Sequence, residues 1–270
     1  MKKLILTLAV VFIAVPLMAQ VGAGESHYLS GQISYRMGNV DQAIADFSES
    51  IRRYPFNAFV YVDRGQAYMD KGNNNMAVAD FNKAIEIDPN NAAVWQSRGN
   101  VHLEAGNKNQ AIADFTKALT LDGKNAELYT DRAAAYLARG ERDDVNLAIA
   151  DYGRAIALDP TKSVAWLARA EVYLERGEVD RAIQDFTKVI ELEPNNAQAF
   201  TARGHAYVAK EDFNRAITDF SKVISLEPNS EEAWHNRGAA YLAKDDLANA
   251  AKDLEKAKEL TPSTQAGNRR

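Results

Sequence analysis

Apolar residues recur at intervals of three and four positions through almost the whole chain, which is the spacing of one face of an α-helix. Trp166, Ala170 and Tyr173 share such a face, and the segment AIQDFTKV that follows has the same spacing. Gly177 separates the two stretches and Pro194 ends the second, as expected of residues that interrupt helices. No strand-like alternation of apolar and polar residues occurs. The pattern therefore predicts an all-α chain of short helix pairs.

This helix pair is one copy of an internal repeat that fills most of the sequence. Six windows have 34 residues and one, 126–162, has 37. A single pair cannot bury both of its apolar faces, so neighbouring pairs must stack. We therefore predict seven helix-turn-helix repeats over residues 24–264, followed by a polar tail at 265–270. The windows are 24–57, 58–91, 92–125, 126–162, 163–196, 197–230 and 231–264.

Large, small and aromatic residues recur at fixed places in each window. In the third window these are Trp95, Gly99, His102, Ala111, Phe115 and Ala118. In the last they are Trp234, Gly238, Tyr241, Ala250, Leu254, Ala257 and Pro262. This set resembles the pattern of the tetratricopeptide repeat (TPR) family. The resemblance implies an α-α superhelix, the TPR solenoid, whose first helices line a concave groove that binds an extended or helical segment of another protein.

A charged pair accompanies the repeat. Six first helices place an arginine before the small residue, namely Arg64, Arg98, Arg132, Arg169, Arg203 and Arg237. All seven second helices place an aspartate before the aromatic position, namely Asp46, Asp80, Asp114, Asp151, Asp185, Asp219 and Asp253. An unpaired charge beside the core would be costly. We therefore expect a ladder of arginine–aspartate pairs, formed within a repeat or with the repeat before; the alternative is that the arginines bind an anionic ligand.

The resemblance also indicates which residues would line the groove. The candidate protein-binding residues are Tyr28, Tyr35, Phe59, Met69, Asn100, Glu104, Glu127, Glu171, Glu175, His205, Glu232 and His235. Over all groove positions the acids outnumber the bases seven to one, the base being Arg36. Clustered negative charge concentrates cations, so we expect a basic or neutral segment with apolar anchors against the tyrosines, Phe59 and Met69. The alternative is that the acids only keep an exposed surface soluble.

The first residues, MKKLILTLAVVFIAVPLMAQ, combine two lysines with an apolar run from Leu4 to Ala19. This is the pattern of a secretory signal peptide, here residues 1–19 with cleavage after Ala19 or Ala23. A membrane anchor is the alternative, but a spanning helix needs about 20 apolar residues and Pro16 interrupts this run. We therefore expect an exported protein that is periplasmic, extracellular or at the cell surface, with no membrane attachment after cleavage.

Composition narrows the remaining function classes. The net charge is −5, and loss of Lys2 and Lys3 with the signal would make it −7, so we expect no nucleic acid partner. The chain has no cysteine, and it offers neither a phosphate-binding loop nor a nucleophile–base set. We therefore expect no enzyme and no cofactor, but a non-catalytic scaffold or adaptor. The alternatives are a structural protein that self-assembles through its end repeats, and a metal or small-ligand site at His205 and His235.

Overall fold

The computed structural model describes residues 22 and 24–261, so the predicted signal segment and the tail at 265–270 lie outside the described residues. Every regular element in the described part is a helix, which confirms the all-α class. Two helices fall in each window, joined by a turn of three residues, or of four residues in 126–162. The helices are α1 (24–36), α2 (Val40–Arg53), α3 (Ala58–Asp70), α4 (Asn74–Ile87), α5 (Ala92–Glu104), α6 (Lys108–Leu121), α7 (Ala126–Arg139), α8 (Asp144–Leu158), α9 (Ser163–Glu175), α10 (Val179–Leu192), α11 (Ala197–Ala209), α12 (Phe213–Leu226), α13 (Glu231–Ala243) and α14 (Leu247–Leu260).

The helices form two compact units, unit 1 up to Asp144 and unit 2 from Val145 onward. Within a unit, a second helix lies between two first helices: α4 packs on α3 and α5, and α12 packs on α11 and α13. First helices also touch, as α3 does with α5 and α9 with α11. Each unit is thus a stack of helix pairs of the TPR solenoid type. None of the helices described combines the length and the apolarity that a bilayer crossing requires.

Aromatic rings of the second helices lie against glycines of the first helices. Phe81 is fully buried, and a Cβ placed on Gly65 would lie 2.8 Å from its ring. Phe220 stands in the same relation to Gly204, at 2.6 Å. Because any side chain at these glycines would clash with the ring, the small residue is what lets the two helices of a repeat approach closely.

The turn inside each repeat uses a left-handed residue to end the first helix. Gly72 and Gly177 have φ of 70° and 74°, a conformation that glycine adopts without steric cost. In the last two repeats the same position is occupied by Glu211 and Asp245, with φ of 59° and 62°. These two turns therefore carry backbone strain that the glycine turns lack.

The three extra residues of window 126–162 are distributed rather than inserted at one point. Helix α7 has 14 residues, whereas a first helix such as α5 has 13. Helix α8 has 15 residues, whereas a second helix such as α6 has 14. The third residue lengthens the turn. The first residue of α8, Asp144, is 1% exposed and accepts from Arg139 Nε at 2.9 Å and Nη2 at 2.5 Å. It also accepts from the backbone N–H of Glu141 at 2.8 Å, so the longer turn is held firmly.

Five ladder arginines pair with the aspartate of their own repeat. Arg169 donates from Nε and Nη2 to Asp185 at 2.8 and 2.9 Å, and the aspartate is buried. The guanidinium lies 5.2 Å from the ring centroid of Trp166 and 5.6 Å from that of Tyr173, within cation–π range. The same bidentate pairing joins Arg64 to Asp80, Arg98 to Asp114, Arg203 to Asp219 and Arg237 to Asp253.

In five of the six ladder arginines, Nη1 donates to a side chain of the repeat before. Arg203 Nη1 donates to Thr187 Oγ1 at 3.1 Å. Equivalent bonds join Arg64 to Ser48, Arg98 to Asn82, Arg132 to Thr116 and Arg237 to Ser221. For Arg169 the equivalent position is Gly153, which has no side chain to accept; a Cβ there would lie 3.5 Å from Nη1. These five arginines thus tie successive repeats together, and the donors described for them are used by protein acceptors.

Candidate functional site

The predicted groove residues all lie on first helices, divided between the two units. The first-helix surface of unit 1 comprises Tyr28 and Tyr35 on α1, Phe59 and Met69 on α3, Asn100 and Glu104 on α5, and Glu127 on α7. The first-helix surface of unit 2 comprises Glu171 and Glu175 on α9, His205 on α11, and Glu232 and His235 on α13. The structure therefore presents two sets of candidate residues, each carried by neighbouring helices of one unit.

The tyrosines of unit 1 belong to a polar network that joins α1 to the neighbouring first helix α3. Gln32 Nε2 donates to Tyr28 Oη at 2.8 Å and to Asp63 at 3.0 Å, and Tyr35 Oη donates to Asp70. Burial, assisted by Asp63, raises the pKa of Tyr28. Burial together with Asp70 and Asp63 raises the pKa of Tyr35 to about 12. Both tyrosines therefore stay neutral over the physiological range and link α1 to α3.

The apolar anchors differ in how much surface they offer. Tyr28 also contributes to the core, since its ring centroid lies 6.0 Å from that of Phe47. Met69 is half-buried and packs on the core of the second repeat. The ring of Phe59, by contrast, is 61% exposed, on the first turn of α3. Phe59 is therefore the anchor most available to a partner.

Two carboxylates of this surface escaped the sequence reasoning. Gln96 Nε2 donates to Asp131 at 2.7 Å across α5 and α7, as Gln32 does to Asp63 across α1 and α3. Each glutamine lies one helical turn from a candidate residue, Gln32 from Tyr28 and Gln96 from Asn100, so Asp63 and Asp131 add to the acids already predicted for this surface. The signal was present in the sequence, because both aspartates directly precede a ladder arginine.

A further exposed ring, Phe56, was also missed. It lies in the turn before α3, three residues from Phe59, and is 70% exposed. Other windows have a polar residue at this position, such as Asn90 and Asn195. That contrast is the sequence signal that could have identified it.

The acids of unit 2 are close enough to affect one another. Gln198 Nε2 donates to Glu171 at 3.2 Å, joining α11 to α9. Burial, and to a lesser extent the charge of Glu175 one turn away, raises the pKa of Glu171, while the bond from Gln198 opposes the shift. A cation placed here would lower the energy of both carboxylates.

A cleft of about 410 Å³ opens between the last two repeats of unit 2. Its lining includes His205, Glu232, Gln198 and Glu227. The imidazole of His205 lies 5.4 Å from the ring of Phe220, with the planes tilted by 59°. His235 is exposed on α13 and does not line this cleft. Across residues 24–261, no three His, Cys, Asp or Glu side chains are grouped so as to hold a metal ion.

Comparison with known families gives a consistent result along the chain. Models described as "TPR repeat" or "Tetratricopeptide repeat" match residues 25–57, 65–106, 92–125, 152–184, 170–210, 204–245 and 231–264. Together the matched stretches cover well over half of the sequence. No curated protein matches the chain at a significant level.

Solved structures with similar folds include two that are described as TPR proteins. A TPR repeat-containing protein from Cytophaga hutchinsonii, solved as its C-terminal part, has a TM-score of 0.76 at 19% identity, covering 88% of this chain and 96% of that chain. MamA has a TM-score of 0.58 at 29% identity, covering 65% of this chain and 94% of that chain. YrrB, described as a TPR protein with an unusual peptide-binding site, has a TM-score of 0.58 at 25% identity, with 70% and 96% covered.

Proposed function

The chain belongs to the tetratricopeptide repeat family of protein-interaction scaffolds, and from that premise we propose that it binds a segment of a partner protein on its first-helix surfaces. The observation that carries the proposal is the composition of the unit 1 surface. There the ring of Phe59 is exposed on α3, one turn before Asp63, and hydrogen bonds from Gln32 to Asp63 and from Tyr35 to Asp70 join α1 to α3. A surface ordered before binding loses little entropy when a partner arrives.

The chemistry of this surface favours a basic or neutral segment with apolar side chains. Asp63 and Asp131 strengthen the negative charge contributed by Glu104 and Glu127. Carboxylates on an open surface steer cationic partners and set specificity more than they set affinity. The peptide-binding site named for YrrB, at 25% identity, supports a peptide as the kind of ligand.

The test uses the purified chain and pairs of synthetic peptides. Both members of a pair carry the same leucine and phenylalanine anchors, with lysines in one and glutamines in the other. We expect tighter binding of the lysine peptide, and a loss of that preference as salt rises. Binding that ignores both salt and peptide charge would leave the acids as mere solubilising groups.

Two matched variants test the location. Phe59→Ala should weaken binding of both peptides about tenfold or more, because truncation of a central aromatic anchor commonly costs about 2 kcal/mol. Leu247→Ala removes an apolar side chain of similar exposure, 68%, from the start of α14, and should leave binding unchanged. The surface assignment fails if Leu247→Ala weakens binding and Phe59→Ala does not.

We further propose that the scaffold acts after export, as an adaptor in a periplasmic or cell-surface assembly, and that it has no catalytic activity. The N-terminal segment MKKLILTLAVVFIAVPLMAQ supports this location. Sequencing the N-terminus of protein recovered from the producing cell should show a chain that starts after Ala19 or Ala23. A mature chain that still begins at Met1 would contradict export with cleavage.

A further inference from the structure

At one position, helix α1 exposes a side chain that every later repeat buries. Ile33 is 60% exposed. The equivalent residues of the other first helices are at most 4% exposed, and they are Ala67, Val101, Ala135, Val172, Ala206 and Ala240. In those repeats the position packs on the repeat before; Ala135, for example, belongs to the same cluster as Phe115 of α6. The outer face of α1 is therefore an apolar packing surface without a described neighbour.

Three apolar side chains define this face, which we call the α1 outer stripe: Leu29, Ile33 and Met37, exposed by 54%, 60% and 71%. Leu29 and Ile33 are four residues apart and lie on one side of α1. Met37 follows directly after the helix and continues this side, since its backbone N–H still donates to Ile33 O at 3.0 Å. Glu25 and Arg36 are also exposed. Their separation of 11 residues is close to three helical turns, so the two charges lie on the same flank of the stripe, one near each end of α1.

The arginine ladder indicates that α1 is not built to receive a preceding repeat. Ser30 stands where the other repeats have an arginine, so the bond back to an earlier repeat is not available. Asp46 instead accepts from Ser30 at 2.9 Å, Ser34 at 3.3 Å and Gln42 at 3.0 Å. The last carboxylate of the ladder, Asp46, is thus hydrogen-bonded by side chains of its own repeat. The molecule that packs on the stripe therefore need not be a repeat of this type.

The opposite end of the chain does not match the stripe. Six second helices place isoleucine or leucine where they face the next repeat, and these are Ile51, Ile85, Leu119, Ile156, Ile190 and Ile224. The last repeat places Lys258 there, and it is exposed. A head-to-tail contact between copies would set this ammonium against the apolar stripe, which is unfavourable.

We propose that the α1 outer stripe is a self-association surface that packs antiparallel on the α1 of a second copy. A two-fold axis near residue 31 sets Leu29 against Ile33 of the second copy. In an antiparallel pair related by such an axis, each flank of one helix lies beside the same flank of the other. The N-terminal end of one helix then lies beside the C-terminal end of the other. Glu25 therefore comes beside Arg36 of the second copy, at both ends of the contact. The stripe is complementary to itself in apolar character and in charge, as an isologous interface requires.

The stripe and the first-helix surface of unit 1 are separate faces of α1. Glu25 and Arg36 lie at the border between them, whereas Leu29, Ile33 and Met37 belong to the stripe alone. The proposal does not rest on peptide binding, and Ile33 can be changed without altering any of the candidate protein-binding residues. Failure of the dimer and failure of peptide binding are therefore distinguishable.

The contact is small. A helix of 13 residues is about 20 Å long, and one helix face buries less than the roughly 1,200 Å² typical of a stable complex. The dimer is therefore reversible and depends on concentration, and a binding partner can replace the second copy.

Sedimentation of the purified chain over a wide concentration range tests the proposal. We expect a monomer–dimer equilibrium, and Ile33→Glu should raise the dimer dissociation constant by about tenfold or more. Because Ile33 is exposed, the variant should keep the helical circular dichroism and the melting temperature of the wild type. Leu247→Glu, at the other end of the chain, should leave the equilibrium unchanged.

A charge exchange tests the register. Glu25→Arg and Arg36→Glu should each raise the dissociation constant several-fold, and the combined variant should restore it, because opposite charges again face each other. A chain that stays monomeric at every concentration overturns the proposal and leaves the stripe to another segment or partner. Three other results overturn it equally. They are open-ended assembly that Leu247→Glu abolishes, a dimer whose dissociation constant does not change in Ile33→Glu, and a combined variant whose dissociation constant does not return to the wild-type value.

Discussion

The pairing of Arg169 with Asp185 makes a quantitative prediction about stability. Asp185→Ala removes both acceptors of a guanidinium whose side chain is 17% exposed. A buried charge that loses its partner costs about 3–5 kcal/mol. Because water reaches part of the arginine side chain, the expected loss is near the lower end. The double variant Asp185→Ala/Arg169→Leu leaves no charge unpaired. We therefore expect it to lose less than the single variant, about 1–2 kcal/mol, mainly from the lost packing on Trp166.

Urea unfolding of the wild type, both single variants and the double variant completes the cycle, with an unchanged m-value as the check that all four share one unfolding reaction. The control is Glu191→Ala on the same helix, whose ion pair with Lys188 is exposed on both sides and should contribute less than about 1 kcal/mol. The reasoning is refuted if the double variant loses as much as the two singles combined. It is also refuted if Asp185→Ala is no less stable than Glu191→Ala.

The remaining predictions concern a missing contact, a strained turn and a tyrosine. Gly153→Ala should stabilise the chain by up to about 1 kcal/mol through helix propensity. Gly153→Ser should stabilise it at least as much, because its hydroxyl can accept from Arg169. A melting temperature of the serine variant clearly below that of the alanine variant would contradict the missing contact. Glu211→Gly should raise the free energy of unfolding by about 1 kcal/mol, since φ is 59° there, and a lower melting temperature would contradict the strain. Because burial and Asp70 raise the pKa of Tyr35 from 10.0 to about 12, its stabilising effect is complete below pH 10 and is lost as the pH rises through 12. Ultraviolet titration should detect this ionisation, and Asp70→Asn should move it towards 10; an unchanged titration would show that Asp70 has no part in the shift.

The sequence predicted the fold class because the same local rules recur in each window, so that one ambiguous helix is corrected by the others. It could not choose the partner of each arginine. Arg169 is separated by 16 residues from Asp185 and by 18 from Asp151, and only the packing of neighbouring helices distinguishes the two. The location of the three extra residues of window 126–162 was equally undetermined from the sequence. They could lengthen a helix or a turn, and the outcome depends on where Gly140 ends α7 and where Asp144 begins α8.

The sequence predicted which helices carry the candidate site residues, but it did not predict the hydrogen bonds between those helices. Helical spacing placed Phe59 and Glu171 on first helices, yet it did not reveal that Asp63 and Asp131 accept hydrogen bonds from the preceding first helix. Such contacts depend on the rotation of one repeat against the next, which side-chain periodicity within a repeat does not specify. Whether the assigned residues bind a partner is a prediction for the peptide experiments.

A guanidinium that is hydrogen-bonded to two repeats couples the folding of one to the folding of the next, so neighbouring repeats should unfold and refold together. At Gly153 this coupling lacks its side-chain acceptor, although the pair with Asp185 is complete. Under mild denaturation the contact between α8 and α9 should therefore open before the contacts between α10 and α11 and between α12 and α13. Limited proteolysis would then release the C-terminal repeats as one fragment.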